Sequence, residues 1–247
     1  MTRFIWIVAI MTSLGMAAEP VRIESRHIDR KLPGCGNEKE GCAHVEFTWV
    51  EVAGGPAAAR QRINAGIAAF VANSPDITPE AYAQQFIDGS ASAREELPPG
   101  VPYVTRRWVK VLRTAPPVFS LECNAYDYTS GGVHGLYGTE YLNFDPVTGE
   151  RVKLASILKD GAMAQLTAIA EVHFRGEQQL AATAKLEDKG FTFPGGRFAL
   201  NDNYGFGEKA LLFLFNPYEI GPYFMGATLV EIPYTEIRDL IRPGFPL

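Results

Sequence analysis

Residues 103–128 read YVTRRWVKVLRTAPPVFSLECNAYDY. Aromatic and β-branched side chains crowd both halves, and Ala115-Pro116-Pro117 interrupts them. This composition predicts two strands, 103–113 and 117–128, joined by a turn. Phe119, Leu121, Cys123 and Ala125 alternate onto one face of the second strand, because side chains in a strand repeat every second residue. A third strand is expected at 137–144. The turn Asp145-Pro146-Val147-Thr148-Gly149 ends it, with Asp first and Pro second, as type I turn chemistry favours. Successive strands joined by short turns point to an antiparallel sheet.

Upstream the character is mixed. Residues 43–52 (AHVEFTWVEV) alternate as a strand does. Gly54-Gly55-Pro56 breaks the run and opens a helix, in which Ile63, Ile67, Phe70 and Val71 recur at helical spacing. Thr78 is placed to cap a second helix, with Pro79 at its first position and Tyr82 and Phe86 on one face. Downstream, a short strand at 150–154 is expected. Asp160 then caps a helix to about 178 whose buried stripe is Leu166, Ile169, Ala170 and His173. The Gly-rich segment 190–207 reads as short strands and turns. Residues 209–215 and 227–232 read as apolar strands, and Pro233 starts a last helix with Ile237, Leu240 and Ile241 inward. The expected fold class is α+β: an antiparallel sheet with helices packed on it, in two subdomains, 19–113 and 114–247.

The first residues set the compartment. Arg3 precedes FIWIVAIMTSLGM (4–16), and small residues follow at Gly15 and Ala17. A charge, a short apolar run and a small-residue exit are the parts of a secretory signal. The expectation is cleavage after Ala17 or Ala18, with residues 1–18 as signal peptide. Thirteen apolar residues rise only about 20 Å as a helix, too short for a hydrocarbon core of roughly 30 Å. The mature product is expected in the periplasm or outside the cell, with no transmembrane segment after cleavage.

The chain has 23 basic and 28 acidic residues, and losing Arg3 leaves a net charge of −6. With the basic residues scattered, nucleic acid is disfavoured as a partner. Cys35 and Cys42 bracket the polar loop GNEKEG, and in an oxidising compartment a disulfide between them is the simplest reading. The competing reading is a metal pair with His44 or His27, for which the six-residue spacing fits no zinc knuckle. Cys123, on an apolar strand face, reads as a buried inert thiol.

Two segments stand out as recognition surfaces. Residues 126–137 (YDYTSGGVHGLY) set a histidine among glycines between tyrosines. Residues 216–226 (NPYEIGPYFMG) are punctuated by proline and glycine and carry further aromatics. His134 is a candidate acid, base or ligand, with Asp127 or Glu140 as partner. The alternative is a turn whose glycines supply positive φ. The chain has no Gly-x-Ser-x-Gly elbow, His-Glu-x-x-His pair or phosphate loop. No catalytic residue, metal ligand or cofactor is therefore assigned.

The stretches GGVHGLYGTEYLNFDPVTGE (131–150) and NPYEIGPYFMGATLVEIPYTEI (216–237) resemble an extracytoplasmic domain of unknown function, the 3298-like one. Residues 21–113 more loosely resemble its usual 4163-like partner. The pair occurs in the lysozyme-binding anti-sigma factor of Gram-positive bacteria and in some peptidoglycan deacetylases. The resemblance implies a secreted cell-envelope binding protein for a lysozyme-like protein or a peptidoglycan fragment. Neither a sigma-binding segment nor a deacetylase motif accompanies it here, so signalling and deacetylation are not carried over. Binding is expected through Tyr126, Tyr128, His134, Tyr137, Tyr141, Tyr218 and Tyr223. The alternatives are a peptidoglycan hydrolase using His134 and a carboxylate, and a structural envelope domain without catalysis.

Overall fold

The computed structural model describes residues 21–34, 42–93, 103–129 and 132–245. The expected signal peptide, and Cys35 of the expected disulfide, lie outside the described residues. Cys42 is buried just before a central strand.

The larger sheet has five strands in sequence order: β1 (Ile23–Lys31), β2 (Ala43–Val52), β3 (Tyr103–Arg113), β4 (Phe119–Tyr128) and β5 (Leu136–Phe144). The smaller has three: β6 (Tyr204–Phe206), β7 (Ala210–Phe215) and β8 (Thr228–Pro233). With the helices segregated from the strands, the class is α+β, as the sequence implies. One pair differs: β2 runs parallel to β3. Parallel neighbours need a long crossover, and α1 (Ala57–Val71) and α2 (Pro79–Ala93) supply it. The boundary expected at 113/114 falls between β3 and β4, which are hydrogen-bonded neighbours.

Two apolar cores form. Ile63, Ile67 and Val71 of α1 and Ala83 and Ile87 of α2 cover one face of the large sheet, against Val45, Phe47, Val109, Leu121 and Cys123. Thr78 caps α2 as expected, its Oγ1 accepting from Ala81 N at 3.2 Å. The second core lies between α4 (Ala162–Glu177) and the small sheet. Phe174 is its centre, with ring centroids of Phe191, Phe198 and Phe193 at 5.0, 5.1 and 5.5 Å.

Helix α4 departs from expectation at two points. Its N-cap is Gly161 in the left-handed region, with no side-chain cap; Asp160 instead pairs with Arg242 at 2.7 Å. Its buried stripe is Ala162, Leu166, Ala170 and Phe174, spaced by four. His173 is displaced one position from that line, and its Nε2 lies 2.9 Å from Glu236 Oε2. In place of a strand at 150–154 there is one isolated bridge, Phe144 to Arg151, and a short helix, α3 (Leu154–Ile157). Proline 233 ends β8 and leads into α5 (Tyr234–Ile237).

The two sheets meet along the outer edge of β5. An edge strand exposes unpaired backbone groups, and here side-chain amides pair them. Asn216 Oδ1 accepts from Thr139 N at 2.7 Å, and its Nδ2 donates to Thr139 O at 3.0 Å. Asn203 Oδ1 accepts from Tyr141 N at 2.9 Å, and its Nδ2 donates to Thr139 O at 2.8 Å. Arg151 Nη2 reaches Tyr141 O, and Val152 N reaches Asn143 O. Buried Ser120 donates to Asn143 Oδ1 and accepts from Phe206 N, extending the seam inward. These contacts fix where the loop after Asn216 sits.

Candidate functional site

The two segments singled out in the sequence converge on one surface. Asn216 anchors the start of the second loop beside β5, and the chain then carries Tyr218 and Tyr223 over the loop before β5. The Tyr223 ring stacks on His134, with centroids 3.9 Å apart and planes 22° from parallel. Tyr218 lies 5.3 Å from Tyr223, and Tyr137 meets Tyr223 edge-on at 5.9 Å. Such offset and edge contacts are the preferred aromatic geometries.

One carbonyl organises this cluster. Gly135 O accepts from the Tyr223 hydroxyl at 2.9 Å and from His134 Nδ1 at 2.9 Å. Because a carbonyl only accepts, Nδ1 carries the proton, and in the neutral ring Nε2 is left as an acceptor. The Tyr218 hydroxyl stands 3.5 Å from that nitrogen, a weak contact. Gly135 itself is buried under the Tyr126 ring, and a Cβ there would run into the Tyr126 hydroxyl. The glycine is thus required for close approach rather than for backbone freedom. Loss of solvent around the Tyr223 phenol, reinforced by neighbouring phenols, raises its pKa.

The patch continues onto the face of the large sheet that the helices leave uncovered. Arg106, Tyr126 and Tyr137 sit directly opposite one another across β3, β4 and β5. Arg106 lies over the Tyr126 ring at 5.8 Å and bridges to Glu46 at 3.2 Å. One row along, Trp108 is 44% exposed. Beside the cluster in sequence, Val133 is 96% and Phe224 87% exposed.

Two of the seven expected contact residues lie apart. Tyr141 is buried, its ring against Gly205 and beneath the small sheet. It belongs to the interface between the sheets, because its position on β5 falls where the amide seam closes. Tyr128 is half-buried and donates to Gly132 O at 3.2 Å, bracing the loop. Among the described residues, neither carboxylate proposed for His134 is hydrogen-bonded to it. Asp127 is held bidentately by buried Arg107 at 2.9 and 3.0 Å and accepts from Thr105. Glu140 faces Arg151 at 3.7 Å. Cys123 is free and buried, and burial pushes its thiol well above the usual range. Among the described residues, no group of three or more His, Cys, Asp or Glu is placed to hold a metal ion. No helix among them is long and apolar enough to cross a membrane.

Sequence reasoning missed Trp108, Arg106 and Phe224. Trp108 and Arg106 alternate with buried residues on β3, so the strand pattern carried a signal. Phe224 lay inside the second recognition segment, but nothing in its sequence neighbourhood set it apart from an aromatic packed in a Pro/Gly loop.

Residues 155–235 match the model of DUF3298, a protein family of unknown function. A DUF3298 family member from Bacteroides fragilis NCTC 9343 shares the fold with a TM-score of 0.74 at 18% identity, over 92% of this chain and 96% of that one. A DUF3298 family protein from Pseudomonas aeruginosa PAO1 gives 0.70 at 19% identity, over 93% and 98%. No curated protein matches the sequence.

Proposed function

We propose that the protein is a secreted cell-envelope binding module that recognises a lysozyme-like protein through the patch of His134, Tyr137, Tyr218, Tyr223 and Phe224. The carrying observation is convergence: residues 84 and 88 apart in sequence meet in one exposed aromatic cluster. Buried aromatic anchors dominate protein–protein recognition, and Phe224 and Val133 project with no polar partner to serve. A net charge of −6 after signal removal suits a basic partner. The likeness to the extracytoplasmic domain of the lysozyme-binding anti-sigma factor supports the same reading.

Calorimetry with lysozymes tests it. Tyr223→Ala should weaken binding about thirtyfold, the loss typical of an anchor residue. No binding by folded protein to any lysozyme would refute the partner. A second reading, a peptidoglycan fragment, is favoured by the Trp108–Tyr126–Tyr137 face, where sugar rings would stack. In that case muropeptides bind and Trp108→Ala abolishes it. The hydrolase alternative is less favoured, because Asp127 and Glu140 face Arg107 and Arg151 rather than His134.

A further inference from the structure

A concave site lies at the far end of the small sheet, sharing no residue with the aromatic patch. It is a cleft of about 1010 Å³ between the junctions Lys209–Ala210 and Pro233–Tyr234 and the closing segment 241–245. Its apolar surface comes from Ala210, Pro233, the Tyr234 ring, Ile241, Pro243 and Phe245. The Tyr234 hydroxyl is already committed to Gly207 O at 3.1 Å, so it offers no free donor to a sugar or peptide. Four cations line the same cleft, Lys159, Lys209, Arg238 and Arg242, against one carboxylate, Glu231. Lys159 is turned to the Asp239 carbonyl and Arg242 to Asp160. Lys209 and Arg238 are exposed beside the apolar surface. Four cations at one cleft run against the acidic balance of the chain.

We infer that this cleft binds a fatty acid, a carboxylate head among the cations with its aliphatic chain on the Pro233–Phe245 surface. Pockets of this size suit ligands with a large apolar body and few orienting polar contacts. A charge-assisted bond from lysine or arginine to a carboxylate supplies the orientation.

Dodecanoate is titrated below its micelle concentration, by calorimetry, against dodecanol, dodecyltrimethylammonium and acetate. Dodecanoate should bind one to one, and the neutral, cationic and chainless probes at least tenfold more weakly. The double variant Lys209→Ala, Arg238→Ala changes only exposed side chains. It should weaken dodecanoate about tenfold or more and leave dodecanol unchanged. Absence of dodecanoate binding, equal affinity for dodecanol, or an unchanged double variant would each overturn the inference. Binding of lysozyme to the aromatic patch should be the same in the double variant, so the two readings fail separately.

Discussion

Replacing Asn216 by Ala removes the bidentate amide that holds the edge of β5. Two hydrogen bonds to Thr139 disappear, at 2.7 and 3.0 Å. Each contributes about 0.5–1.5 kcal/mol net, and orphaning a part-buried donor adds about 1 kcal/mol, the low end for a buried group. The Thr139 carbonyl keeps Asn203 as donor, so only the Thr139 N–H is orphaned. The expected loss is about 2–4 kcal/mol, which lowers the melting temperature of a chain this size by on the order of 10 °C. Asn203→Ala alone likewise leaves that carbonyl one donor. The double variant leaves it none, so its cost should exceed the sum of the singles by about 1 kcal/mol. Guanidinium unfolding of the four proteins measures this cycle. A single-variant loss below about 0.5 kcal/mol, or strict additivity, would refute the edge-pairing argument.

Three further outcomes follow from contacts elsewhere in the fold. Gly135→Ala should displace Tyr126 and with it the His134–Tyr223 stack, reducing partner binding more than stability; equal binding by the variant would show that the stack is incidental. Phe174→Ala should cost about 3–5 kcal/mol, since it empties the centre of the second core, and chemical denaturation reads it directly. Burial raises the pKa of Tyr141 and Tyr234. The folded state therefore holds those protons when the unfolded chain releases them near pH 10. Stability from this source is fully present below that pH and falls as pH rises above it. Unfolding midpoints across pH 8–11 should show the decline, and Tyr141→Phe should flatten it.

Much of the fold was legible because most strands bury one face. The alternation in 43–52 and 119–128 is such a record, and both segments pair as strands. Strand β1 was not, because it is exposed on nearly every residue and so carries no apolar rhythm. The α4 stripe was legible at Leu166 and Ala170 and misplaced only at its last turn: Phe174 and His173 are adjacent, and helical spacing from Leu166 admits either. The parallel β2–β3 pair was hidden too, since direction is set by what intervenes rather than by either strand. At the candidate site, tyrosines between glycines were visible as unusual. That the two loops meet was not, because Asn216 and Asn203 bring them together through backbone mimicry, and an asparagine near a turn usually serves the turn itself. Tyr141 looked like its neighbours in composition, and only its place on β5 sent it inward.

The parallel pairing of β2 with β3 also divides the order of assembly. Strands β3, β4 and β5 form a meander that needs only short-range closure, and β1 lies beside β2 with a single connection between them. The six-residue register of Ala43–Thr48 against Tyr103–Trp108 closes a loop of about sixty residues, the costliest closure in the large sheet. That seam is where the β1–β2 pair parts from the meander, with α1 and α2 packed across it onto both sides. Amide protons along it should exchange earlier than those between β3 and β4, in one cooperative opening. The aromatic patch stands on the meander side, so that opening would leave the binding surface assembled while the rest of the sheet comes away.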